Sequence, residues 1–197
     1  MDDVRLVSRF LDIVENDIMP LTQKGVESGS KVFGAAILLK SDLSLIVAES
    51  NNETDNPLWH GEVHAIKRFY ERDRASLPDP RDCIFFATHE PCSLCLSAIT
   101  WAGFDNFYYF FSYEDTRDAF AIPHDLRILN EVFGVKDGAY QNPNDYWTAY
   151  AVREMIAGLA EPGRTALRTR ADSIAHAYGH LSEDYQDTKG NAGIPLS

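Results

Sequence analysis

Two short segments of this 197-residue chain, His60-Gly61-Glu62 and Pro91-Cys92-Ser93-Leu94-Cys95, each open a stretch of helical character, and an apolar run lies between them. Cys92 and Cys95, at i and i+3, share one helical face and can both reach a single ion. A His from a neighbouring helix completes a three-ligand zinc set whose fourth position stays free for water, the mark of a catalytic site. The starts of two helices must therefore meet. Pro91 suits a helix start, and the positive end of the helix dipole with its free backbone N–H groups favours the thiolate forms that zinc requires. Taken alone, the CxxC leaves a metal site, a redox pair and chance all open.

Glu62 follows His60 by two positions, which in mid-helix would point the two side chains roughly 200° apart. In a first turn, however, side chains lean back toward the N-terminus, so both can bracket an ion lying just off the helix end. A carboxylate near the metal but not on it could shuttle a proton from a zinc-bound water, whose pKa falls to about 7 in suitable sites. His64 offers a rival His-x-x-x-His pair with His60, but its use would leave the CxxC unexplained.

The remaining pattern reads as one compact α/β unit without repeats or linkers. Val4, Val7, Phe10, Leu11, Val14 and Ile18 have helical spacing, and Pro20 is expected to interrupt that helix. Val32–Leu39 and Leu43–Ala48 read as a hairpin, and Asn51–Pro57 as a polar loop. A helix from His60 to about Arg72, a strand at Cys83–Ala87, a helix from Cys92 to Ala102 ended by Gly103 and an aromatic strand at Phe104–Phe111 follow. Phe107–Phe111 is expected to be core, and Cys83 a small core residue. Beyond Pro123, helices are expected near Asp125–Phe133, Asn144–Leu159 and Thr165–Leu181, with the last dozen residues a loose tail. Alternating strands and helices favour a sheet with helices on its faces.

Charge narrows the partners. Eighteen basic against thirty acidic residues give a formal net charge of -12, which repels the phosphate backbone, so a nucleic-acid partner is disfavoured. The longest apolar runs reach about half of the roughly 20 residues a bilayer span needs, so no membrane segment is expected. No basic region followed by an apolar stretch opens the chain, and the cytoplasm is the expected location. Three cysteines without an export signal argue against structural disulfides.

His-x-Glu followed by Pro-Cys-x-x-Cys is the signature of zinc nucleobase deaminases, and through it the chain resembles the cytidine deaminase superfamily over roughly residues 32 to 125. Asp82-Cys83-Ile84, Glu90-Pro91-Cys92 and Leu96–Ala102 look like bacterial guanine deaminases. Gly61, between the His and the Glu, is shared with fungal cytosine deaminases. Val32-Phe33-Gly34-Ala35-Ala36 is similar to the family's P-F-G-A-x strand, with Val in place of Pro.

The resemblance implies a three-layer α/β/α sandwich of the cytidine deaminase type, with a mixed sheet of about five strands and a helical C-terminal extension. Residues 1–140 would form the deaminase domain, and residues 141–197 would pack on it or on its dimer mate. It implies one catalytic zinc per chain on His60, Cys92 and Cys95, with Glu62 as the catalytic acid and base. Asn51, Phe33, Gly61, Glu90 and Trp101 are the implied substrate-binding residues, and Asp115 and Asp125 are candidates for polar contacts to a base. The implied activity is hydrolytic deamination of a free nucleobase or small heterocyclic amine, guanine or cytosine first, by a homodimer. The alternatives are a tRNA adenosine deaminase and a non-catalytic zinc-binding module.

Overall fold

Strands buried on both faces build the centre of the computed structural model, which describes residues 2–196. Strands β1 (Gly34–Leu39), β2 (Leu45–Ser50), β3 (Cys83–His89), β4 (Asn106–Phe111) and β5 (Thr148–Ala151) form one sheet in the order β2-β1-β3-β4-β5. β1 runs antiparallel to β2 and β3, whereas β3, β4 and β5 run parallel. Successive side chains on a strand face opposite ways. Ala36, Leu38, Ile84, Phe86 and Phe110 thus enter one apolar layer, and Ala35, Ile37, Phe85 and Phe107 the other. With both faces covered, the strands read in sequence as near-continuous apolar runs. Phe107, Phe110 and Phe111 are core, as is Cys83.

The first layer is covered by α1 (Asp3–Ile13), α2 (Met19–Glu27), α7 (Val152–Gly158) and α8 (Gly163–Thr188), the second by α3 (Gly61–Tyr70) and α4 (Ser93–Trp101). This is the expected α/β/α sandwich with a mixed sheet of five strands. Parallel β4 and β5 need a crossover, and α5 (Tyr113–Asp118) and α6 (His124–Phe133) lie within it. Among the described residues, no helix is long and apolar enough to cross a membrane.

Three expectations change. Pro20 does not end the first helix: a π-helical turn over Val14–Ile18 joins α1 to α2, with Met19 N–H bonded to the Val14 carbonyl. A proline removes one helical donor and crowds the carbonyl four residues back, and the wider turn just ahead of it lets the helical path continue. Asn144–Leu159 is not one helix but strand β5 followed by α7. The open edge of β4 offers unpaired backbone groups, and pairing there overrides a four-residue segment too short to show a period. Finally, α8 runs on to Thr188, and the tail beyond it is held, since Ile194 is buried. From α8, Arg170 reaches across to Asp12 and Glu15 near the start of the chain, at 2.8 and 2.6 Å.

His89 closes β3 inside a box of Phe33, Phe111, Phe120 and Tyr178, its Nδ1 2.9 Å from Thr88 Oγ1. Burial pushes its pKa from 6.5 down to about 3. Below pH 6.5 the unfolded chain takes up a proton that the folded ring refuses, so stability falls as pH drops from 6.5 toward 3. At pH 5 that loss is about 2 kcal/mol. His89→Phe is expected to remove this part of the acid sensitivity, read as a smaller difference between urea midpoints at pH 8 and pH 5. Equal differences in the two proteins would show that the ring is not the acid-sensitive group.

Candidate active site

One edge of the sheet gathers the site. β3 and β4 end side by side, with His89 opposite Phe111, while β1 begins and β2 ends at the same edge, with Gly34 opposite Ser50. Phe33, Asn51 and Cys92 are therefore delivered to one place by chain direction, at the carboxyl ends of the parallel strands, where α/β sheets commonly bind ligands. Asn51 N–H bonds to the Phe33 carbonyl at 2.9 Å, and Glu90 N–H to the Phe111 carbonyl at 2.8 Å, closing the edge.

His60 and Cys92 are the N-cap residues of α3 and α4, both with extended backbones, and Cys95 and Glu62 stand in the first turns. The two helix starts meet. Cys92 Sγ lies 3.4 Å from His60 Nδ1, Cys95 Sγ lies 3.7 Å from it, and the two sulfurs are 3.6 Å apart, far beyond a disulfide bond. A tetrahedral zinc at ordinary bond lengths would set its sulfurs about 3.8 Å apart and each sulfur about 3.5 Å from the nitrogen. The three donors fit one zinc ion, and no larger movement than a few tenths of an ångström is needed.

Charge in the cluster follows from burial and proximity. The hydrogen bond shared with Cys95 and the neighbouring His60 hold the Cys92 thiol well below its usual range, while burial and the Cys92 charge push Cys95 up. Burial opposes the charge on His60, yet the Cys92 hydrogen bond and charge prevail and raise it to about 9. Glu62, buried beside the cluster with Oε2 accepting from Cys95 Sγ at 3.3 Å, is pushed up to about 7 by burial and then by the Cys92 charge. Of these groups, Glu62 is the one that exchanges a proton near neutrality.

A cavity of about 640 Å³ opens on His60 and Cys92, and Phe33 and Asp125 line it. Burial, with the Cys92 charge nearby, pushes the Asp125 carboxyl well above the usual carboxylate range. Asn51 stands behind the wall: its Oδ1 accepts from Gly61 N–H, and its Nδ2 donates to Glu53 at 2.9 Å. Gly61 is buried against β1, where a Cβ would lie 2.7 Å from Gly34 Cα, so α3 sits close to the strand because the side chain is missing.

Beyond Asn51 and Gly61, three more of the expected substrate-binding residues do not line this cavity within this chain. Trp101, at the end of α4, is 88% exposed. Glu90 turns away from the cavity to accept from Tyr113 N–H at 3.0 Å and Tyr140 O–H at 2.7 Å. Asp115 forms a capping box with Ser112 at the start of α5. Each position follows from a local hydrogen-bond demand or a helix face that only the packed structure reveals. His64 is not a ligand either, since its Nδ1 lies 3.1 Å from the Ser50 carbonyl and Trp59 stacks on its ring, away from the cavity. Sequence reasoning missed Lys31 and Glu53, which also line the cavity. They are far apart in sequence and carry no motif that would have linked them.

Fold and donor set together define a zinc-binding α/β/α protein whose metal ligands sit on two helix N-termini. Residues 17–111 match the family model of the cytidine and deoxycytidylate deaminase zinc-binding region. Over that stretch, just under half of its length, the chain is similar to the cytidine deaminase superfamily. The guanine deaminase of Bacillus subtilis (strain 168) is 35% identical over 102 residues, which is 50% of this chain and 63% of that protein. The chain thus matches less than two thirds of that relative's length. The X-ray structure of guanine deaminase from Bacillus subtilis superposes with a TM-score of 0.50 at 25% identity, covering 68% of this chain and 85% of the other.

Proposed function

We propose that this protein is a zinc-dependent hydrolytic deaminase releasing ammonia from the exocyclic amine of a free nucleobase or small heterocycle, with guanine and cytosine as the leading substrates. The observation that carries this reading is the placement of Glu62 against Cys95, outside the His60–Cys92–Cys95 donor set, two members of which, His60 and Cys92, line a cavity of about 640 Å³. The likeness to a guanine deaminase supports guanine. When bound, zinc would supply a water of lowered pKa.

The chain's own residues then have distinct tasks. Glu62 takes a proton from the attacking water and passes it to the ring nitrogen beside the reacting carbon, then takes the remaining proton of the added hydroxyl and delivers it to the departing amine. The exocyclic C–N bond is replaced by C–O, and ammonia leaves. A buried carboxyl group beside the donor set is placed to give and take protons. Phe33 presents a ring to a planar heterocycle, and Asp125 accepts from its edge. Asn51 and Gly61 set the start of α3 and so the aim of His60 and Glu62. A tRNA substrate is disfavoured by the net charge of -12. Pairing of two chains belongs to the same reading, and sedimentation velocity would measure it.

The test is ammonia release by zinc-loaded protein across guanine, cytosine, adenine, their nucleosides, pterins and triazines. Turnover of one base is expected, with Asp125→Asn lowering kcat/KM about 10- to 100-fold. Silence across the panel with one zinc per chain would overturn the proposal.

A further inference from the structure

Lys31 and Glu53 form an ion pair on the cavity wall that the proposed proton transfers do not use. Lys31 Nζ lies 2.8 Å from Glu53 Oε1, and the two residues are only 6% and 2% exposed. Taking two charges out of water is often no better for stability than an apolar pair of the same volume, so their position is the informative feature. They stand on the same cavity as His60, Cys92 and Asp125.

An ammonium group has three donors. Glu53 Oε1 takes one, while Glu53 Oε2 is used by Lys31 N–H at 2.8 Å and Asn51 Nδ2 at 2.9 Å. Among the described residues no second acceptor meets Nζ, so a buried, cavity-lining ammonium keeps donors to spend on a ligand. The pair has no net charge, and the Asp125 carboxyl shares the wall. A full anion would meet that carboxyl, whereas a neutral carbonyl oxygen would satisfy a desolvated donor.

We propose that Lys31 determines the substrate class: held by Glu53, its ammonium receives the ring carbonyl of an amino-oxo heterocycle, favouring it over an amine heterocycle without that carbonyl. This rests on the deaminase reading above. Glu53 is the positioning residue, tying Lys31 to Asn51 and through it to the start of α3.

The test compares substrates that differ only in the carbonyl, guanine with 2-aminopurine and cytosine with 4-aminopyrimidine, in the wild type and in Lys31→Met/Glu53→Gln, which removes both charges together. The ratio of kcat/KM for the carbonyl-bearing member over its partner is expected to fall about 100-fold in the variant. Lys31→Gln/Glu53→Gln keeps a neutral donor and is expected to hold an intermediate ratio, and it carries the test should the first variant not fold. A merely structural role would lower both members of a pair together and leave the ratio unchanged. An unchanged ratio in a folded, zinc-loaded variant of an active enzyme would overturn the Lys31 assignment alone. A zinc-loaded wild type inactive on all four compounds would overturn the Lys31 assignment, and silence across the whole panel would overturn the deaminase reading with it.

Discussion

Glu62→Gln is expected to lower kcat by about 10²- to 10⁴-fold while zinc content and melting temperature stay near those of the wild type. The substitution conserves shape and removes the ability to hold a transferable proton. Glu62 is buried, so the amide replaces a carboxyl group without exposing new surface, and it can still meet Cys95 Sγ, 3.3 Å away. Because His60, Cys92 and Cys95 keep their places, a drop in rate reports on proton transfer and not on metal loss. The measurement is kcat on whichever base the panel identifies, beside zinc content by mass spectrometry. Full turnover with one zinc per chain would remove Glu62 from the chemistry.

Stripping the zinc, or replacing one of its ligands, is expected to lower the melting temperature by about 10 °C. A ligand present at about 1,000 times its dissociation constant stabilises the folded state by about 4 kcal/mol, and for a chain of this size each kcal/mol shifts the midpoint by about 2–4 °C. The donors come from two helices that the sheet brings together, and the unfolded chain has no such site, so metal binding is coupled to folding. Cys95→Ala with added zinc should melt near the chelated wild type and fail to respond to zinc. A chelated wild type that melts with the loaded protein would mean that the cluster contributes nothing to the fold.

Elements whose determinants are local could be read directly. His60-Gly61-Glu62 and Pro91-Cys92-x-x-Cys95 carry their ligands on helix starts, and helix starts are set by a few neighbouring residues. The aromatic run to Phe111 is long and apolar enough to read as a covered strand. β5 was illegible because four residues at Thr148–Ala151 become a strand only against the edge of β4, more than thirty residues earlier. Trp101 matched a motif yet faces solvent, since a helix face toward or away from a cavity depends on the helix's angle to the sheet. Glu90 turned away for the same kind of reason, because Tyr113 N–H and Tyr140 O–H claim its carboxyl group.

From sequence alone, the chemistry of the donor set was determined: two thiols one helical turn apart, an imidazole and a carboxylate beside them. The arrangement of strand directions decided the rest. Only with β1 antiparallel to β3, and β3 parallel to β4, do Phe33, Asn51, Cys92 and the Lys31–Glu53 pair reach one edge. Ligand identity resides in side-chain type and local spacing, which a sequence displays. Cavity shape resides in contacts between residues far apart along the chain, and those exist only once the sheet has closed.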